Sequence, residues 1–168
     1  MKQGRKISIV SRMFAVLLAV MMVCSNISLP SKAAETVQTI AAWEYKEKDS
    51  APSSLPAGAT SGSGQLNVTG ATYTGYSSKS LAANNWEEEG YWTISEINAE
   101  KYENLTFSAS LRSSNTGAKN FQLEYSLDKG QSWTVVDGGA VEITSTNLTQ
   151  LYKDVKLPAE LSGQNFAL

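Results

Sequence analysis

In LTFSASL, residues 105–111, every second residue is apolar and the residues between are Thr or Ser. Because successive side chains of a β-strand point to opposite faces, this pattern predicts a strand with one face on a core and the other in water. FQLEY, residues 121–125, alternates in the same way. Both segments are therefore predicted to be half-buried strands.

The rest of the chain from residue 39 onward shows shorter segments of the same kind. TIAAWEY (39–45) is predicted to be a strand, and KEKDSAPSSLPAGATSGSG (46–64) is predicted to be a loop because it concentrates charge, Ser, Gly and Pro. YWTISEI (91–97) and LYKDVKL (151–157) alternate more weakly, and no stretch keeps a 3.6-residue period. These observations predict an all-β fold, a two-sheet antiparallel β-sandwich.

The first 33 residues have the pattern of a secretory signal peptide. Basic residues precede an apolar run, MFAVLLAVMMVC (13–24), and a polar stretch ends in Ser31-Lys32-Ala33. The alternative, a signal anchor, needs about 20 apolar residues to span a bilayer, and this run is shorter. We predict a signal peptide over 1–33 and a secreted, extracellular module over 34–168, with no membrane association after processing.

The last residues, Asn165-Phe166-Ala167-Leu168, form an apolar segment that enters a strand without a turn signal behind it. A sandwich whose last strand is half present has an open edge and an open core. The sequence therefore favours a module truncated at its C-terminal strand, which would be the front part of a larger protein.

Charge and residue usage narrow the chemistry. The leader holds five of the 14 basic residues and no acidic one, so nine basic and 16 acidic residues remain, a net charge of −7. Such a surface repels phosphate backbones, and we expect no nucleic-acid binding. The chain has no His, and its one Cys, Cys24, lies in the leader. This excludes His-based triads and thiol catalysis and leaves carboxylate, Ser/Lys or Tyr chemistry, or no chemistry at all. We expect no catalytic site and no cofactor within these residues.

SLDKGQSW, residues 126–133, fits the Asp-box pattern of Ser126, Asp128, Gly130 and Trp133. The carboxylate can accept hydrogen bonds from turn amides, glycine can adopt a positive φ, and the indole can cover the turn. The pattern resembles the repeated structural boxes of sialidases. Arg112 is the one arginine after the leader, so the arginine cluster of a sialidase cannot form. We interpret the motif as a structural hairpin turn.

Large aromatic residues supply the candidate ligand-binding site. Tyr76 and Trp86 stand among Gly, Ser and Asn, so we predict that they are exposed and stack on a glycan or another cell-surface polymer. The alternative is that the aromatic rings fill the core. Trp43, Trp92 and Phe107 alternate with polar neighbours and are predicted to be buried.

Charged residues give two further candidates, each with a structural alternative. Arg112 would clamp an anionic ligand through its planar guanidinium, or pair with a nearby carboxylate. Glu87-Glu88-Glu89 would hold a structural calcium ion or form a solvated loop. For glycoside hydrolysis these carboxylates would need a facing partner such as Asp49 or Asp137.

Two segments, LRSSNTG (111–117) and YSLDKGQSW (125–133), carry a wider resemblance. With them, nearly all of residues 34–168 resembles the N-terminal β-sandwich accessory module of large secreted Gram-positive nucleases and phosphoesterases, of the endonuclease/exonuclease/phosphatase or nucleotidase type. The resemblance implies a jelly-roll-like, non-catalytic domain that lies beside an enzyme domain. Because no metal-binding set of a phosphoesterase is present, it assigns no nuclease residue here. The alternative function is that of the front fragment of such an enzyme, whose catalytic domain would lie downstream.

Overall fold

The computed structural model describes residues 37–168, so the predicted leader lies outside the described residues. The described part is all-β, as the alternating segments predicted, with two short 3₁₀ helices, Lys48–Ser50 and Ala159–Leu161. No helix within residues 37–168 is long and apolar enough to cross a membrane. The strands are β1 (Ala41–Ala42), β2 (Ala57–Gly58), β3 (Ser61–Gly62), β4 (Gln65–Thr69), β5 (Thr72–Ser77), β6 (Ser80–Asn84), β7 (Tyr91–Ser95), β8 (Ile97–Asn98), β9 (Thr106–Leu111), β10 (Asn120–Tyr125), β11 (Thr134–Glu142), β12 (Thr149–Lys156) and β13 (Asn165–Phe166).

The two longest ladders come from the segments with the clearest alternation. β9 pairs antiparallel with β12, and β10 pairs antiparallel with β11, each with an irregularity in its register. Phe107 faces Val155 across the first ladder, and both side chains pack against the core. The half-buried strand predicted from the alternation in residues 105–111 is confirmed, because Phe107 points inward while Thr106 and Ser108 are exposed.

The region before β7 is less regular than the sequence indicates. Of residues 39–45 only Ala41–Ala42 forms a strand, which pairs with β3. The predicted loop 46–64 contains the 3₁₀ helix Lys48–Ser50 as well as β2 and β3. β2, β4 and β7 form an antiparallel sheet, and β5 and β6 form a hairpin.

The C-terminal residues pair with β8 and also bond β7 and the end of β10. β13 pairs antiparallel with β8. Beyond it, Leu168 exchanges two main-chain hydrogen bonds with Ile94, of 2.7 and 2.8 Å, and Ala167 exchanges two with Ser126, of 3.0 and 2.9 Å. The segment thus lies between β7 and the end of β10 and is antiparallel to both.

One hydrophobic core contains side chains from β8, β10, β11, β12 and β13. Its largest fully buried side chains are Leu161 and Val136, which are 0% and 1% exposed. The members of the core are Ile97, Ala99, Leu105, Leu123, Tyr125, Val136, Tyr152, Leu161 and Phe166. Trp43, Trp92 and Phe107 are only half-buried, in contrast to the prediction. The two Trp rings are so large that part of each usually stays in contact with solvent.

Candidate functional site

The turn between β10 and β11 is organised by the carboxylate of Asp128. Its Oδ1 accepts hydrogen bonds from the backbone N–H groups of Gln131 and Ser132, at 3.0 and 2.9 Å, and from the Ser126 hydroxyl at 2.8 Å. Its Oδ2 accepts the Ser132 hydroxyl at 2.5 Å. Four donors on one carboxylate hold the turn in a single conformation.

Ser126 and Gly130 complete this turn. The Ser126 hydroxyl accepts hydrogen bonds from the backbone N–H groups of Gly130, at 2.7 Å, and Asp128, at 3.3 Å. Gly130 has a φ of +85°, a conformation that favours glycine. A Cβ at this position would stand 3.4 Å from the indole of Trp133. Gly130 of the turn therefore lies against the Trp133 ring.

The hydrogen bonds to Asp128 make the turn sensitive to acid. Those from Ser132, then that from Ser126, lower the pKa of this carboxyl from 3.8 to about 2. Because the folded-state pKa lies below the unfolded one, Asp128 contributes stability above about pH 4 and loses that contribution as the pH falls through about 2. We predict that wild type has a higher Tm than Asp128→Asn by several degrees at pH 7, and that the difference shrinks as the pH falls from about 4 to below about 2.

The measurement is a pH series of thermal unfolding curves for both proteins. Asp137→Asn is the matched control, since Asp137 is exposed on β11, and its difference from wild type should stay small at every pH. A Tm difference between wild type and Asp128→Asn that is independent of pH would contradict the role given to the charge.

Next to this turn the structure exposes an aromatic surface that the sequence analysis missed. The ring of Tyr91, the first residue of β7, lies 6.1 Å from that of Trp133 between centroids, at an interplanar angle of 59°. Tyr91 is 43% exposed, and Leu127 and Val135, which flank the Asp128 turn in sequence, are 49% and 57% exposed. We call Tyr91 and Trp133 the Tyr91 surface. The alternation in YWTISEI could have predicted the exposure of Tyr91, because inward-facing Trp92 and Ile94 place Tyr91 on the outward face.

The two aromatic residues predicted to be exposed are half-buried instead. The Tyr76 hydroxyl donates to the Lys46 carbonyl at 2.9 Å. The Trp86 indole N–H donates to the Ala83 carbonyl at 3.2 Å, and its ring packs edge-on against Trp92, with centroids 6.1 Å apart. Their polar groups are engaged within the protein because residues distant in sequence, or the hairpin itself, supply the acceptors.

Arg112 is bound to the β5–β6 turn. Its guanidinium donates to the hydroxyl and carbonyl of Ser77, at 2.6 and 2.9 Å, and its Nε donates to the Ser80 hydroxyl at 3.3 Å. The Arg112 guanidinium is therefore bonded to hydroxyl and carbonyl groups of the protein, where the sequence analysis expected an anionic ligand or a carboxylate. The side chain links the end of β9 to the β5–β6 hairpin.

The three predicted ligand-binding residues do not form one cluster. Arg112 lies at the β5–β6 turn, Tyr76 is fixed to the 46–64 region, and Trp86 follows the other end of the hairpin. Glu87, Glu88 and Glu89 are exposed, and Glu87 opens a turn whose Gly90 N–H donates to its carbonyl. Within residues 37–168, no group of three or more His, Cys, Asp or Glu side chains is arranged to hold a metal ion.

Tyr125 donates its hydroxyl hydrogen bond to the Glu160 carboxylate. This bond, together with burial, raises the pKa of Tyr125, so the phenol stays neutral and ties β10 to the second 3₁₀ helix.

A groove of about 620 Å³ is lined by Thr39, Ala42, Glu44, Lys46, Glu47, Ser50, Thr60 and Ser61, which include no aromatic residue.

Comparison of the chain with protein-family models, with curated proteins and with solved structures found no match. The Tyr91 surface and the Asp128 turn that supports it are therefore described from their own geometry.

Proposed function

We propose that residues 34–168 form a non-catalytic, secreted binding module, and that the Tyr91 surface stacks on the sugar rings of a neutral cell-surface glycan. The observation that carries this proposal is the exposed ring of Tyr91, held in contact with Trp133 beside the Asp128 turn. The proposal moves the binding role from Tyr76 and Trp86 to this pair.

Ring stacking suits the chemistry of this surface. The π face of an aromatic ring carries partial negative charge and attracts the C–H groups that line the flat face of a pyranose. Each ring has a neighbour in the protein before binding, since Trp133 lies against Gly130 of the turn and contacts the ring of Tyr91. Little conformational entropy is then lost when the glycan binds. Within residues 34–168, nine basic against 16 acidic residues disfavour acidic polymers and nucleic acids as ligands.

The architecture we propose is a two-sheet, jelly-roll-like β-sandwich. In support, β13 and Leu168 bring β8 and β7 alongside the end of β10. Tyr152 of β12 and Leu123 of β10 meet in the same core. Such an arrangement leaves one face of each sheet for solvent, and the Tyr91 surface lies on an outward face.

The accessory role rests on the sequence resemblance. Basic residues followed by an apolar run within residues 1–33 support secretion, and a sequence without His supports a module without its own chemistry. We propose that the module serves a larger extracellular enzyme. In the alternative, the activity comes from a neighbouring domain of the nuclease or nucleotidase type.

The proposed function is tested by titrating the protein with a panel of soluble neutral polysaccharides, with duplex DNA as the negative control, in an isothermal titration calorimeter. We expect at least one polysaccharide to bind and the DNA not to bind. Tyr91→Ala should weaken the binding about tenfold, whereas Tyr91→Phe should stay within about twofold of wild type, since the ring provides the contact.

Tyr76→Ala is the matched control, because it removes the same kind of ring from the position that sequence alone favours. Its glycan affinity should equal that of wild type once circular dichroism has established that the variant is folded. Binding that survives Tyr91→Ala but is lost in Tyr76→Ala would exclude the Tyr91 surface. Failure of the whole polysaccharide panel would exclude the glycan role.

A further inference from the structure

The two rings of the Tyr91 surface are steeply inclined to one another. Their centroids are 6.1 Å apart, and their planes form an angle of 59°. Aromatic rings whose centroids lie about 4.5–7 Å apart are in contact, so no sugar fits between Tyr91 and Trp133. A glycan that contacts both residues must therefore stack on ring faces whose planes differ by that angle.

Both residues of the pair are attached to hydrogen-bonded main chain. Tyr91 pairs with Thr69 in the antiparallel ladder of β4 and β7. Trp133 directly precedes Thr134, the first residue of β11, which pairs with Tyr125 of β10. Because the two side chains start from paired strands and also contact each other, their inclination is set before a ligand arrives.

The inclination decides which shape of glycan can use both rings. The sugar rings of a cellulose chain lie nearly parallel to one plane, and crystalline cellulose presents that plane as a flat face. Two aromatic rings stack on such a face together only if they are nearly coplanar. At 59° a flat face can cover one of the two rings and not the other. A chain whose neighbouring sugars are turned relative to one another can cover both.

Stacking chemistry favours glucose as the repeating sugar of such a chain. A β-linked glucose ring carries its hydroxyl groups and linkages around its edge, so C–H groups point to both of its faces. The π face of Tyr or Trp attracts these C–H groups. Mannose and galactose each carry one axial hydroxyl group, which makes one face more polar. A neutral glucan also suits residues 34–168, which hold nine basic and 16 acidic residues.

We propose that the ligand is a coiled β-glucan whose neighbouring glucose residues stack on Tyr91 and Trp133, an inference that rests on the proposed glycan-binding role of this surface. A coiled chain gains two stacking contacts, whereas the flat face of crystalline cellulose gains one. The pair therefore discriminates between two polymers of the same sugar by the shape of the chain.

The test measures how much protein two insoluble glucans remove from solution, curdlan, which is a coiled β-glucan, and microcrystalline cellulose. We expect wild type to bind curdlan about tenfold or more tightly than cellulose. Tyr91→Ala leaves one ring, which fits a flat face as well as a coiled chain. This variant should lose about tenfold in affinity for curdlan and change little on cellulose. Tyr76→Ala is the matched control and should bind both glucans as wild type does.

Three results would overturn the proposal. Wild type that binds cellulose as tightly as curdlan would exclude selection by chain shape and leave the glycan role in place. An equal loss on both glucans in Tyr91→Ala would show that the two rings do not contact differently turned sugars. Binding to neither glucan would exclude a β-glucan as the ligand. The proposed function would then stand if another neutral polysaccharide of the panel bound, and fail if none did.

Discussion

Replacing Tyr152 by alanine is expected to lower the free energy of unfolding by about 3–5 kcal/mol, the cost of removing a large aromatic side chain from a core. Tyr152 is 4% exposed. Its ring lies 5.4 Å from that of Phe107 between centroids, and its hydroxyl donates to the Gly139 carbonyl at 3.0 Å. The side chain therefore joins the β9–β12 ladder to β11, and its loss would loosen both.

Tyr152→Phe separates the ring from its hydroxyl. This variant keeps the contact with Phe107 and loses the hydrogen bond to Gly139, so it should cost about 1 kcal/mol. Urea unfolding followed by circular dichroism measures both values. If Tyr152→Ala cost no more than Tyr152→Phe, the ring would not connect the two ladders.

The strands that the sequence predicts best are those whose pattern repeats over several residues. Residues 105–111 and 121–125 alternate clearly, and they become β9 and β10. The two-residue strands β1, β2 and β3 lie in and beside a segment that composition assigns to a loop. They exist because of distant partners, such as the Trp43 indole N–H that donates to the Ala57 carbonyl at 3.2 Å. Local sequence does not encode such pairings.

In the candidate site too, the sequence predicts the local contacts and misses those between residues distant in sequence. The spacing of Ser126, Asp128, Gly130 and Trp133 predicts a turn held by a carboxylate, because all its hydrogen bonds are local, and the structure contains that geometry. The exposure of Tyr76 and Trp86 was predicted from polar neighbours in sequence. In three dimensions their surroundings are set by Lys46, Ala83 and Trp92, and polar neighbours alone do not reveal these contacts.

The second large effect is expected for Phe166→Ala, which should also cost about 3–5 kcal/mol of unfolding free energy. Phe166 is 5% exposed and belongs to the core, while its backbone pairs with Ile97. Without the ring, β13 would be held mainly by its main-chain bonds. Hydrogen exchange at the Ile94 and Ser126 amides, which bond Leu168 and Ala167, should therefore accelerate together with the loss of stability.

Asn165→Ala is the matched control in the same strand. Asn165 is exposed, and its side-chain N–H donates to Glu100 Oε1 at 3.1 Å on the surface, so its removal should cost within about 0.5 kcal/mol. Denaturant titration gives the two stabilities, and exchange at Ile94 and Ser126 reports on the position of β13. A Phe166→Ala variant that loses stability while both amides remain protected would show that the ring fills the core without holding the strand.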